Sequence, residues 1–149
     1  MKILAINNYS LSGCLEIARK RETPYTHSWG IDYFIAQGDK VDTILYRNGG
    51  GKKGLLHNIW FSIKNIPSFN KHDVVISFCN PVLGWASYLK RLGVIKSRLY
   101  TLVHHQQNHM FLSDGFDKIL FLSKDVMEAT KKQYPHLAGK MEYIEWGQI

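Results

Sequence analysis

Three histidines stand within six residues in the segment TLVHHQQNHM, residues 101–110. His105 and His109 have the i, i+4 spacing of two metal ligands on one face of a helix, and His104 could supply a third. The residues between them are glutamine and asparagine, which are poor zinc ligands, and the H-E-x-x-H arrangement of a zinc enzyme is absent. A polar loop and a histidine at the end of a strand remain as interpretations, because TLV is typical of a strand. We therefore expect no metal site in this segment.

A second segment, NGGGKKG, formally matches the dinucleotide-binding pattern G-x-G-x-x-G through Gly49, Gly51 and Gly54. That site requires the glycines to follow the first strand of the unit and an acidic residue to close the next strand. Here the glycines follow the second predicted strand, and Asp73 begins its strand instead of ending it. The phosphate-binding P-loop motif is absent, because Leu55 follows Gly54 where that motif has lysine. We therefore predict a flexible surface turn for this segment.

The overall charge favours an anionic partner. The chain has 19 Lys and Arg against 12 Asp and Glu, a formal net charge of +7. Such an excess suits a phosphorylated substrate, anionic lipid or nucleic acid, and charge alone does not choose between them. The basic residues form only short clusters, which is typical of a solvated surface. One cluster, Arg19 to Arg21, follows the first predicted strand, where an anionic ligand could meet it.

Cysteine usage and the N-terminal residues indicate a soluble, intracellular protein. Cys14 and Cys79 form no C-x-x-C pair, so two idle thiols in a reducing cytoplasm are expected. The opening MKILAINN is too short for a signal peptide or a membrane span. No serine or cysteine stands in a G-x-S-x-G turn, so hydrolase chemistry has little support.

Strands and helices alternate along the chain. Short apolar runs predict the strands KILAIN, KVDTILYR, DVVISFC, RLYTLVH, DKILFLS and KMEYIEW. Helices are predicted in HSWGIDYFIAQ, LLHNIWFSIKNI, PVLGWASYLKRLG and KDVMEATKKQY. In the second of these helices Leu56, Trp60 and Ile63 share one face, and the last is capped by Ser123. This alternation predicts one Rossmann-like, doubly wound α/β domain with a mainly parallel sheet and helices on both faces.

Two segments near the N-terminus are harder to interpret. Residues 8–26 lack a clean period and are predicted to form a long polar loop, a kind of segment that is usually functional or disordered. In the helix that follows, Trp29 and Tyr33 have helical spacing, and both are expected to pack in the core.

Ligands of doubly wound sheets bind outside the carboxyl ends of the strands. The loops of interest therefore follow Asn7, Arg47, Cys79, His104 and Leu122. A neutral imidazole at such a strand end can hydrogen-bond a hydroxyl and can support charge that develops in a transition state. The alternative for His104 is a histidine whose ring is satisfied by a neighbouring backbone group.

Taken in order, these segments resemble the N-terminal domain of GT-B-fold, retaining, metal-independent glycosyltransferases. The resemblance covers nearly the whole chain and includes the turn between the first helix and second strand, Gly38 to Val41. The segments that carry it are MKILAINN, HSWGIDYFIAQGDKVDTILY, HDVVISFCNP, TLVHH, FDKILFLSKDVMEATKKQYP and KMEYIEWG.

The resemblance implies roles for particular residues. The family's strand-end histidine, which faces the donor sugar, matches His104, with His105 as the alternative if the strand ends one residue later. The family's glycine loop near the donor phosphates can match only Gly13, and its usual Gly-Gly pair is absent. The residues expected to contact the acceptor lie on loops at the strand ends and are Asn8, Tyr9, Arg19, Arg21 and Asn80.

The resemblance also implies partners. The substrates would be a nucleotide-sugar donor and a glycan or lipid-linked acceptor, with no metal or other cofactor and no nucleic acid. The nucleotide would bind in a second Rossmann-like domain beyond this chain, so we expect an acceptor-side half that is inactive alone. We expect a cytoplasmic protein that could contact anionic lipid at the inner face of the membrane, although we identify no amphipathic basic helix in the sequence. The rival interpretation is a non-enzymatic Rossmann-like or flavodoxin-like module that binds a phosphorylated or polyanionic ligand.

Overall fold

The computed structural model describes residues 1–20, 28–47, 51–79, 82–107 and 114–145. Six parallel strands of this part of the chain form one sheet in the order β2-β1-β3-β4-β5-β6. The strands are β1 Lys2–Asn7, β2 Lys40–Leu45, β3 Val74–Ser77, β4 Arg98–Val103, β5 Lys118–Phe121 and β6 Met141–Tyr143. The helices are α1 Leu11–Arg19, α2 Ile31–Ala36, α3 Gly51–Lys64, α4 Ile66–Asn70, α5 Gly84–Arg91 and α6 Lys124–Gln133, followed by the 3-10 helix Pro135–Lys140. The predicted Rossmann-like α/β fold is confirmed.

The sheet is buried on both faces, and β1 shows why. Its side chains alternate between two hydrophobic clusters, with Leu4 and Ile6 in one and Ala5 in the other. The first cluster includes Phe61 of α3 and Phe69 of α4. The second includes side chains of α1 and α2. A strand that is covered on both faces needs apolar residues at every covered position, which explains the unbroken apolar run ILAI, residues 3–6.

The prediction of a long loop after β1 is wrong, because α1 occupies Leu11–Arg19. Its start is capped by the Ser10 hydroxyl, which accepts a hydrogen bond from the Gly13 amide at 3.1 Å. Leu11 and Leu15 are buried at i, i+4 spacing and pack against Ala5 and its neighbours. Leu11, Cys14, Leu15 and Ala18 do have the i, i+3, i+4, i+7 spacing of a helix. Ser12 and Gly13 disfavour an isolated helix in this segment, and the sheet supplies the stabilising surface.

The prediction of a surface turn in the glycine-rich segment is wrong for residues 51–54. Residues 48–50 lie outside the described part of the chain, but α3 begins at Gly51 and includes Gly54, which is buried. The sequence expectation failed because glycine lowers helix propensity without forbidding a helix that is packed against a sheet.

The prediction that Tyr33 packs in the core is wrong. Tyr33 is 63% exposed, so it lies on the solvent side of α2 and not in the core. Leu56, Trp60 and Ile63 share one face of α3, as predicted. That face points away from the sheet, whereas Phe61 and Ser62 on the other side are buried. None of the described helices has the length and apolar composition that a membrane span requires.

Candidate functional site

A groove opens at the carboxyl edge of the sheet, next to the point where the strand order reverses. The chain leaves β1 towards β2 on one side, whereas β3 lies on the other side of β1 and leads to β4. Such a switch point is where doubly wound sheets bind ligands. The groove has a volume of about 490 Å³. The residues that line it are Asn7, Asn8, Tyr9, Trp29, Phe78, Cys79, His104, His105 and Gln107.

His104 follows the last residue of β4, as the sequence predicts, and its half-buried ring lies on the groove wall. The ring Nε2 lies 2.9 Å from the carbonyl oxygen of Phe78. A carbonyl can only accept, so Nε2 carries the hydrogen, and the basic nitrogen of the neutral ring is Nδ1. His104 therefore lies at the strand end, as expected, and its ring also makes the backbone bond that the alternative interpretation describes. The bond to Phe78 fixes the orientation and the tautomer of a ring that still faces the groove.

Trp29 forms the aromatic part of the wall. Its ring stacks on Phe78 with centroids 5.5 Å apart and planes at 14°, and meets His104 edge-on with centroids 5.3 Å apart. The indole N–H donates to the Tyr9 hydroxyl. Trp29 precedes α2 and has a φ of 55°, an outlier for a bulky side chain. The partly buried Trp29 thus does pack against a hydrophobic cluster, as expected, but it also lines the groove.

Asn7 supplies a buried polar group at the end of β1, and our sequence reasoning did not select it. The residue is 1% exposed. Its Oδ1 accepts a hydrogen bond from the Asn8 amide at 2.9 Å, whereas its Nδ2 finds no acceptor among the described residues. A buried donor without a partner is costly, so it is a good candidate for a ligand contact. The available signal was a polar residue that closes an otherwise apolar strand.

Cys79 lines the groove without offering a nucleophile. Burial raises the pKa of its thiol to about 11, although the Ser77 hydroxyl opposes this shift. The thiol therefore stays protonated at neutral pH, and the thiolate that would attack a substrate is scarce. Neither a carboxylate nor a Lys or Arg side chain occurs among the described residues of the groove wall. Its polar chemistry comes from imidazole, amide and hydroxyl groups.

The remaining predicted site residues are only partly brought together. Asn8, Tyr9 and His105 line the groove, and His105 is exposed. Gly13 lies in the first turn of α1, where its amide is already bonded to the Ser10 hydroxyl. Arg19 lies exposed at the far end of α1 and does not line the groove.

Three residues singled out in the sequence, Arg21, Asn80 and His109, lie outside the described part of the chain. Among the residues that are described, no three His, Cys, Asp or Glu side chains are grouped so that they could hold a metal ion. The acceptor contacts predicted for Arg21 and Asn80 thus stay predictions.

Comparison with known proteins supports the fold. No family model and no curated protein sequence matches the chain. Among solved structures, the apo form of the lipopolysaccharide outer core galactosyltransferase WaaB is similar over 95% of this chain, with a TM-score of 0.55 and 12% sequence identity. The match covers 44% of the WaaB chain, so the present chain spans less than half of that protein's length. At this identity the likeness concerns the fold alone.

Proposed function

We propose that this chain is the acceptor-side domain of a glycosyltransferase, which transfers a sugar from a nucleotide-sugar donor to a glycan or lipid-linked acceptor. The observation that carries the proposal is the oriented His104 ring on the wall of a groove at the switch point of the sheet. The similarity of the fold to that of a galactosyltransferase adds support from an independent direction.

The chemistry of the groove suits transfer by positioning. Retaining transfer with a diphosphate leaving group needs alignment of the two substrates and support of developing charge more than it needs a strong base. The imidazole of His104 is held by its bond to the Phe78 carbonyl, so it can meet a sugar hydroxyl without reorganising. The absence of a carboxylate from the described groove wall agrees with such a mechanism.

Asn7, Asn8 and Tyr9 supply hydrogen-bonding groups from the end of β1. We assign Asn8 and Tyr9 to the acceptor and add Asn7, whose Nδ2 can donate to a hydroxyl or a phosphate oxygen. The start of α1 follows directly, and the amides of a helix N-terminus favour an anionic group. Gly13 in that first turn remains the proposed donor-side residue. Arg19 and Arg21 would act on a long acceptor that extends beyond the groove.

The first test asks whether donor binding and sugar transfer need a second domain. We expect the isolated 149-residue chain to transfer no sugar and to bind nucleotide-sugars more weakly than micromolar by calorimetry, because the nucleotide site would lie in another domain. We also expect the coding sequence beyond Ile149 to encode a second α/β domain with an E-x7-E-type motif. Micromolar binding by the chain alone, or a natural stop codon directly after Ile149, would favour the rival, a non-enzymatic module for a phosphorylated or polyanionic ligand.

A second test concerns the unpartnered amide of Asn7. In the full-length protein, Asn7→Ala should raise KM for one substrate by about tenfold, or about 1.4 kcal/mol, with a loss of about 1 kcal/mol in stability. Asn70 is the matched control, because its amide bonds the Val94 carbonyl and the Lys96 amide, away from the groove. Asn70→Ala should lower stability and leave KM unchanged. Unchanged KM values for both substrates in Asn7→Ala would remove Asn7 from the site.

A further inference from the structure

Helix α3 carries an apolar stripe that points away from the protein. Leu56, Trp60 and Ile63 lie at i, i+4 and i+7 and are 68%, 62% and 48% exposed. The opposite side of the same helix is buried through Phe61 and Ser62. The helix therefore has two apolar faces, and the sheet accounts for only one of them. A contiguous exposed patch of this kind marks an interaction surface.

The charges around the stripe are of one sign. Lys53, His57 and Lys64 are exposed and lie along one edge of the stripe. Neither Lys53 nor Lys64 forms an ion pair with a described residue, in contrast to lysines elsewhere such as Lys118, which pairs with Glu142. Residues 43–72 contain five Lys or Arg and no Asp or Glu.

We propose that the outward face of α3 docks on a bilayer that contains anionic lipid, with Leu56, Trp60 and Ile63 entering the interface and Lys53 and Lys64 contacting the headgroups. A helix with an apolar stripe, an amphipathic tryptophan and flanking lysines binds in the plane of such an interface. Uncompensated positive charge complements the negative surface potential of anionic lipid, whereas it would repel the same surface of a second copy.

The position of α3 connects this surface to the groove. The helix begins shortly after the carboxyl end of β2, so its first turn lies at the same edge of the sheet as the groove. Docking through α3 would thus hold the groove near the membrane surface, where a lipid-linked acceptor would be found. Only this last consequence rests on the proposed function.

The test is binding of the protein to vesicles, which needs no sugar substrate and is independent of the proposed activity. The protein should sediment with vesicles of equal parts phosphatidylcholine and phosphatidylglycerol. Its affinity for vesicles should be at least about tenfold weaker when they contain phosphatidylcholine alone, or when the salt concentration is high. Tryptophan emission should shift to shorter wavelength on binding, and the shift should disappear in Trp60→Phe.

Matched surface variants test whether vesicle binding depends on the stripe or only on exposed apolar side chains in general. Leu56→Ser with Trp60→Ser should abolish sedimentation, and Lys53→Gln with Lys64→Gln should reduce it at least about tenfold. Tyr33→Ser is the control, because Tyr33 is as exposed as Trp60 but lies on α2. Circular dichroism of each variant checks the fold. The proposal would be overturned if the Leu56 and Trp60 variant bound vesicles as well as the wild type does, or if the wild type bound neutral vesicles as well as anionic ones. It would also be overturned by a dimer in solution that the same substitutions dissociate.

Discussion

In the proposed full-length glycosyltransferase, replacement of His104 by alanine is expected to lower turnover by about 100-fold or more, with the fold unchanged. The ring lies between the Phe78 carbonyl oxygen, at 2.9 Å from Nε2, and the Trp29 ring, with which it forms a T-shaped contact. The substitution removes an oriented imidazole that would contact the donor sugar near the reaction centre. Because the ring is only half-buried, the loss of packing should cost little stability.

Two further variants locate the role within the histidine pair. His104→Gln can keep a hydrogen bond to the Phe78 carbonyl, so it should keep the local geometry and still lose turnover. His105 is exposed, with its ring centroid 6.5 Å from that of His104, and His105→Ala should change turnover little. Initial-rate assays with saturating donor and acceptor provide the measurement. Full activity in His104→Ala together with loss in His105→Ala would transfer the role to His105.

The second large effect is expected from Gly115→Ala, which should lower the free energy of unfolding by about 3 kcal/mol or more. A Cβ at Gly115 would lie 2.5 Å from the carbonyl carbon and 2.8 Å from Cα of Ser87, and closer still to the Ser87 carbonyl oxygen. Ser87 is a fully buried residue of α5, so the obstacle is helix backbone and cannot rotate away. Either α5 or the segment before β5 must move to admit one methyl group.

Urea unfolding followed by circular dichroism measures this loss, and a fall in Tm of roughly 6–12 °C should accompany it. Gly139→Ala is the control, because a Cβ there meets no atom within 4 Å and the backbone has no positive φ. That variant should be neutral or slightly more stable, since alanine restricts the unfolded chain. If the Gly115→Ala variant had the unfolding midpoint of the wild type, α5 would be able to move at Ser87 without a measurable loss of stability.

The sequence by itself determined the strands, their alternation with helices and, from these, the parallel sheet. It also placed His104 at a strand end and Ser123 at a helix start, where the Ser123 hydroxyl accepts from the Val126 amide. These features are local, because an apolar run of strand length and a capping residue carry their signal within a few neighbouring positions. Helix α1 was not predicted although Leu11, Cys14, Leu15 and Ala18 have helical spacing, because Gly13 and the serines beside it are typical of a loop.

Only the tertiary structure decided which residues meet and which face is buried. Asn7, Trp29 and His104 come from distant parts of the chain, and the sheet edge brings them into one groove. The period of α3 predicts that Leu56 and Trp60 share a side, but the direction of that side depends on how the helix crosses the sheet. Side-chain spacing is set along the chain, whereas burial is set by neighbours far away in sequence, so the groove and the outward stripe could be recognised only in the folded molecule.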